Sequence, residues 1–225
     1  MLIETMSNHD LRLAMLPYAC ALKVVNMHAE AIMDELFANR RSNPVEHIKS
    51  RLKRPSSIAR KLEKKGYEPT VENALKYIDD IAGVRIVCLF PDDIYRIANL
   101  IKKYDNIHIL RIKDYIKNPK PNGYRSYHMH IEVPIKLLNH DEWIKTEIQI
   151  RTVAMDSWAS VEHKIRYKQI NDIPESISSE LLECANMTAQ LDARMQILNN
   201  RIEEITSASK ASTQQIDIFQ EFFVN

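Results

Sequence analysis

Apolar residues recur at three- and four-residue steps through Leu11, Met15, Ala19, Leu22, Val25, Ala29, Ile32 and Leu36. That period predicts a helix over about residues 8–39, broken by Asn43 and Pro44. A basic segment follows from His47 to Lys65, with a helical second half that Pro55 and Ser57 suit as a start. From Ile81 to Phe90 the chain is almost continuously apolar, as in a strand buried on both faces. Pro91, Asp92 and Asp93 then open a helix to about Tyr104, with acids at its positive end. Strands are predicted over about 107–113, 126–135 and 143–151, with a lysine-bearing polar loop from Asp114 to Gly123 after the first. Helix resumes over about 154–167, is interrupted at Pro174, and returns as a long helix over about 177–205. The tail after Ser207 is polar and closes on Ile216, Ile218, Phe219, Phe222 and Phe223, the pattern of a short docking helix or a frayed end.

Composition narrows the class. The chain has 225 residues, 45% of them apolar, enough for one substantial core with helical extensions. A net charge of +1 argues against a protein devoted to coating nucleic acid or membrane. Cys20, Cys88 and Cys184 are odd in number and widely spaced, so neither a disulfide framework nor a zinc site follows, and Cys88 reads as an inert core residue. No apolar run approaches the roughly 20 residues that span a bilayer, and the first residues lack the basic start of a secretory signal. The cytoplasm is the expected compartment.

Chemistry concentrates on the last predicted strand. Thr146-Glu-Ile-Gln-Ile-Arg151 alternates with period two, which puts Glu147, Gln149 and Arg151 on one face at steps of roughly 7 Å. Ile148 and Ile150 on the other face anchor it. A solvated antiparallel sheet shows the same alternation, so the strand acquires meaning only from its neighbours. Between Asn39 and Lys65 ten lysines and arginines face only Glu46 and Glu63, a density that suits polyphosphate, a solvated helix face or nucleic acid. Asp79-Asp80, just ahead of the apolar strand, can present a carboxylate to magnesium or simply end a helix. Asn122-Gly-Tyr-Arg-Ser-Tyr-His128 is a turn that delivers Tyr124, able to stack on a base, with Arg125 and His128, able to meet phosphate. In Met155–Lys164, Asp156, Ser160 and His163 share one helix side and Trp158 and Glu162 another. Acids for a metal, cations for phosphates and a tyrosine for a base together suggest nucleotide phosphotransfer. The P-loop and dinucleotide fingerprints are absent.

These segments resemble a known family. Arg51-Leu-Lys-Arg-Pro-Ser-Ser-Ile58, Asp79-Asp-Ile-Ala-Gly-Val-Arg85, Asn122 to His128, Glu147-Ile-Gln-Ile-Arg-Thr152 and Trp158-Ala-Ser-Val-Glu-His163 are similar, in order and spacing, to the synthetase domain of the RelA/SpoT family. The resemblance spans about residues 45–170. It implies an α+β fold, a mixed β-sheet flanked by helices of the nucleotidyltransferase-like kind, with N- and C-terminal helical extensions. The expected layout is one synthetase domain over 1–225: an N-terminal helix to about 42, a catalytic core over 45–170, a C-terminal helix over 176–206 and a tail over 207–225. No HD-type hydrolase motif is present, so the chain resembles a small, single-domain synthetase. The Met155-Asp156 pair and the run His163-Lys-Ile-Arg-Tyr-Lys168 look more like the RelP than the RelQ subgroup.

The family moves the β,γ-pyrophosphate of ATP to the 3′-hydroxyl of GDP or GTP, giving ppGpp or pppGpp. The resemblance implies Mg2+ as cofactor, held by Asp80, with Glu147 as second ligand or as base. It implies Arg51 and Arg85 around adenine and Lys53 and Lys61 on the ATP phosphates. Tyr124 would stack on guanine, Arg125 and His128 would lie near the acceptor phosphates, Gln149 and Arg151 would line the acceptor side, and Glu162 would support the cluster. Asp156 stands where RelQ-type members carry asparagine near the guanine; it can still accept from guanine N1–H and the amino group. The RelQ segment for pppGpp activation is not matched by Val45-Glu-His-Ile-Lys49.

Small members form tetramers, and the apolar stripe of the C-terminal helix suits either a homotetramer or packing on the N-terminal helix. The resemblance leaves two other readings open. One is a toxic relative that pyrophosphorylates tRNA or adenine nucleotides, with the basic segment on tRNA; the other is an inactive nucleotide-binding regulator. Intact Asp80 and Glu147 weigh against the second.

Overall fold

The computed structural model describes residues 2–3, 7–40, 43–138, 140–168 and 173–223. Helix α1 (Asn8–Arg40) precedes strand β1 (Val45–Leu52), then helices α2 (Pro55–Lys64) and α3 (Val71–Tyr77) lead to β2 (Ala82–Cys88). Helix α4 (Pro91–Ile101) is followed by β3 (His108–Asp114), β4 (Tyr127–Lys136) and β5 (Asp141–Thr152). Helices α5 (Val153–Lys168) and α6 (Glu175–Phe223) close the described chain. The sheet runs β1-β2-β5-β4-β3; β2 and β5 are parallel and all other neighbours antiparallel. This is the expected α+β fold, a mixed sheet flanked by helices. No helix among the described residues is long and apolar enough to cross a membrane.

The core lies on one face of the sheet. Val84, Ile86, Ile148, Ile150, Met129 and Ile131 are buried there together with Ala21, Val25 and Ile32 of α1 and Ile94 and Ile97 of α4. Cys88 belongs to this core, and burial pushes its thiol pKa well up, in keeping with an inert role.

Four differences from the sequence reading matter. Val45–Leu52 is a strand at the end of the sheet, paired antiparallel along one edge with β2, a partner far along the chain. Helix α3 had no strong period to announce it, yet Thr70 caps it, its hydroxyl accepting from Asn73 N–H at 3.2 Å. Strand β2 is not buried on both faces: Gly83 and Arg85 are half-buried and open to a cleft.

The fourth is α6, which runs to Phe223 rather than ending near 205, with no glycine or proline between Glu175 and Phe223 to stop it. It packs chiefly on α5 and α4 rather than along α1. Residues 169–172 and 224–225, where expected boundaries fall, lie outside the described residues, as do the tail side chains from 208 onward.

Candidate active site

The face of the sheet opposite the core carries two rows of polar residues. Register alone builds them. One row runs Arg51–Gly83–Glu147–His130–Arg111 and the next Lys49–Arg85–Gln149–His128–Lys113. Residues paired across strands share a face, so ten positions from five strands meet on one surface.

Two cavities open on it. One of about 350 Å3 is lined by Lys49, Arg51, Gly83 and Arg85. The other, about 580 Å3, is lined by Tyr124, His128, His130, Arg111, Lys113 and Lys120 among others. Asp80, Glu147 and Gln149 border both. A Cβ at Gly83 would meet only the Arg51 carbonyl oxygen, at 3.9 Å, so the missing side chain keeps the first cavity's floor low without relieving a clash.

Glu147 is held by both oxygens. Gln149 Nε2–H donates to its Oε2 at 2.6 Å, and His128 Nδ1 lies 3.0 Å from its Oε1. A carboxylate only accepts, so His128 carries the proton on Nδ1. His128 Nε2 then meets Tyr124 Oη at 2.9 Å, and Arg151 Nη2 donates to both Tyr124 Oη (2.9 Å) and Gln149 Oε1 (2.5 Å). Glu147, Gln149, Arg151, Tyr124 and His128 thus form a closed hydrogen-bonded ring. Burial works to raise the Glu147 pKa, but the hydrogen bonds from His128 and Gln149 and the positive charge of the histidines outweigh it and hold the value at about 2.

A group whose pKa drops on folding from 4.5 to about 2 adds stability that is complete above its unfolded pKa and is lost as pH falls through the folded one. In acid titrations of unfolding free energy, the native chain should lose stability relative to Glu147→Gln between about pH 5 and pH 2. Parallel curves would show that the ring does not hold the carboxylate in this way.

Asp80 accepts from Lys53 Nζ at 2.9 Å and Lys61 Nζ at 2.8 Å. Its burial works to raise the pKa, and the two lysines more than reverse that, leaving it below the ordinary value. Lys61, expected with the ATP phosphates, lines the larger cavity and reaches Asp80 at the boundary. Asp156 accepts from Arg85 Nη1 at 3.0 Å and Arg151 Nη1 at 3.4 Å, tying β2 and β5 to the first turn of α5. Glu162 accepts from Asn122 Nδ2 at 3.0 Å and from Arg166 Nε, so it is tied to the turn before Tyr124. His163 is exposed.

Arg125 is the clear correction. Its Nη1 donates to the carbonyls of Ala185 (3.1 Å) and Gly123 (3.4 Å), so the side chain turns onto α6 and not into the cavity. Among the cations that line that cavity are three the sequence reading missed: Arg111, Lys113 and Lys120. His130 was missed too, although its period-two spacing from His128 was a usable signal; its Nε2 lies 3.7 Å from Glu147 Oε1. Asp79 binds Arg111 (3.4 Å) and Lys145 (3.5 Å), a pairing invisible without the tertiary fold.

Residues 50–172 match the profile described as a region found in RelA / SpoT proteins, and every side chain of the two rows except Lys49 lies inside that range. The chain belongs to the RelA/SpoT family. Its relatives include the GTP pyrophosphokinase YwaC of Bacillus subtilis, 47% identical over 186 residues that cover 83% of this chain and 89% of that one. The crystal structure of small alarmone synthetase 2 from Bacillus subtilis is similar with a TM-score of 0.78 at 44% identity, covering 85% of this chain and 99% of that one. That of small alarmone synthetase 1 from the same organism, bound to its product pppGpp, gives 0.77 at 30% identity, covering 84% and 95%. As a RelA/SpoT family member the chain is an enzyme of the pyrophosphokinase type.

Proposed function

We propose that this chain is a (p)ppGpp synthetase, one synthetase unit that transfers the β,γ-pyrophosphate of ATP to the 3′-hydroxyl of GDP or GTP. The observation that carries the reading is the pair of cavities meeting at Asp80 and Glu147. A group transfer between two nucleotides needs two sites that share one reacting edge. ATP takes the smaller cavity. Arg51 and Arg85 lie diagonally across β1 and β2, since Lys49 is the residue opposite Arg85 and Arg51 the one opposite Gly83. Diagonal neighbours stand roughly 7–8 Å apart, the span of a planar ring with a guanidinium on each side. The acceptor takes the larger cavity. Guanine would stack on Tyr124, on the face over which Lys120 Nζ lies 4.7 Å from the ring centre, and Lys120 would move with Arg111 and Lys113 onto the 5′-phosphates.

The donor set suits Mg2+. This ion is usually bound through one or two carboxylates with phosphates and water completing the shell, and Asp80 and Glu147 are two carboxylates held ionised. It would neutralise charge on the transferring phosphates. Lys53 and Lys61, which hold Asp80 at 2.9 and 2.8 Å, would pass to those phosphates. The acceptor O3′ bonds to the β-phosphorus of ATP, the bridge from that phosphorus to the α-phosphate breaks, AMP leaves, and the O3′ proton is released. With a pKa of about 2, Glu147 is a weak base, so its main part is to orient the hydroxyl within the hydrogen-bonded ring. Electrostatic positioning supplies most of the rate in such a transfer.

The test is incubation of purified protein with γ-labelled ATP, Mg2+ and GDP, GTP, ATP or tRNA in separate reactions. Label on the guanine nucleotides is expected. Label on tRNA or on ATP as acceptor would overturn the choice of acceptor, and none on any would overturn the activity.

A homotetramer belongs to the same reading. Leu191, Met195, Leu198 and Ile202 of α6 are exposed at 47–62% of their surface, an apolar stripe suited to a second copy. Light scattering is expected to give four times the 26.2 kDa chain mass. The mass of a single chain would remove that claim.

A further inference from the structure

Helix α6 begins beyond the matched region 50–172, yet it is fastened at two places: at the Tyr124 turn, which lines the larger cavity, and at the β5–α5 junction beside Arg151, which bonds Tyr124 and Gln149. The first fastening is at the Tyr124 turn. Gly123 has φ +86°, and a Cβ there would lie 2.5 Å from Ala185 Cβ and 3.1 Å from Leu182 Cδ1. The backbone of the turn therefore lies directly on α6. Arg125 adds a hydrogen bond to the Ala185 carbonyl at 3.1 Å.

The second fastening is at the junction of β5 and α5. Thr152 is fully buried; its hydroxyl donates to Asp192 Oδ2 at 2.7 Å and accepts from Met155 N–H at 3.1 Å, in the first turn of α5. Thr152 follows Arg151, which bonds Tyr124 and Gln149, and precedes Asp156, which bonds Arg151 and Arg85. Trp158 Nε1 completes the attachment on the Leu181 carbonyl at 2.9 Å. Leu181, Ala185 and Asp192 fall on one stripe of the helix, at steps of four and seven residues. An apolar side chain at 192 would satisfy packing alone. A buried carboxyl costs free energy unless it is matched, and here it is matched to a hydroxyl and lies in the field of Arg125. What it adds is the orientation of that hydroxyl.

We propose that Asp192 is a positioning residue for the acceptor nucleotide, acting through Thr152 and the strand end that carries Arg151, which in turn holds Tyr124. This rests on the larger cavity being the acceptor's. The smaller cavity is walled by Lys49, Arg51, Gly83 and Arg85 of β1 and β2; Arg85 meets Asp156 of α5 rather than α6 itself, so this cavity should feel the loss of these fastenings less.

The experiment measures KM for GDP and for ATP, and direct GDP binding by calorimetry, in the full chain and in Thr152→Val, Thr152→Ser, Asp192→Leu and the double variant T152V/D192L. Thr152→Val and Asp192→Leu should each raise the GDP KM and Kd about tenfold, with the ATP KM within about twofold. Thr152→Ser, which keeps the hydroxyl, should return to native values. The double variant should be no worse than Thr152→Val alone, because that substitution already breaks the bond to Asp192. A parallel rise in both KM values, no rise in either, or a serine variant as impaired as valine would overturn the proposal. If Thr152→Val does not fold, Asp192→Asn against Asp192→Leu reads the same split, because asparagine keeps an accepting oxygen. Native protein that binds GDP but makes no product would count against the proposed function and leave the binding comparison to decide this inference.

Discussion

Glu147→Gln is expected to lower kcat by about 1,000-fold, the scale of a positioned proton acceptor or metal carboxylate. The amide keeps the shape and can still accept through Oε1 from His128, so the fold survives. It loses the charge that borders both cavities and turns one accepting oxygen into a donor facing Gln149 Nε2, 2.6 Å away in the native chain. Two donors then oppose each other, and the ring through Arg151, Tyr124 and His128 opens at its reacting corner. Turnover of ATP and GDP lost in a variant that stays folded at neutral pH, with its thermal midpoint lowered because the stabilisation from the ionised carboxylate is gone, would fit this. Activity within tenfold of native would mean that Glu147 neither holds the metal nor orients the hydroxyl.

Asp80→Asn is the second large effect, also about 1,000-fold in kcat at ordinary Mg2+. Its cause differs. Asp80 is gripped by Lys53 and Lys61, so removing its charge leaves two partly buried ammonium groups without their anion. Those lysines would bind ATP phosphates even in the free variant, so ATP affinity should hold or rise while turnover falls. The Mg2+ dependence of the rate should shift to higher concentration. A variant whose Mg2+ curve coincides with the native one would remove Asp80 from the metal site and leave it as an anchor for the lysines. The two carboxylates are therefore separable: Glu147→Gln acts on a hydrogen-bonded ring, Asp80→Asn on a cation pair.

Much of the site was legible because its residues report on themselves locally. The alternation around Glu147, Gln149 and Arg151 needs only the two-residue period of a strand, and β5 carries them on one face with Ile148 and Ile150 buried behind. Asn122-Gly123 announced a turn, and the turn is there. Helix α1 followed from its apolar spacing, and α2 and α4 from the prolines that open them. By contrast, α3 is short and its capping threonine is one signal among many, so it passed unread.

What the sequence could not state is which residue stands beside which. Strand β1 became a strand only because β2 offered it an edge, and that pairing brings Arg51 beside Gly83 and Lys49 beside Arg85. His130 sits opposite Glu147 by the register of β4 on β5, and Arg111 opposite His130 by that of β3 on β4. A slip of one residue would have sent each to the other face. Arg125 carries the same charge as Arg151, and nothing local distinguishes them. Helix α6 supplies the Ala185 carbonyl that turns Arg125 away from the cleft, whereas Tyr124 and Gln149 draw Arg151 in. The chain alone determined which chemical groups exist, on which elements and on which face, because propensity and side-chain period are local properties. The tertiary structure decided their partners, the two cavities and the ionisation of Glu147 and Asp80, because strand register, burial and electrostatic neighbours come from segments distant in sequence.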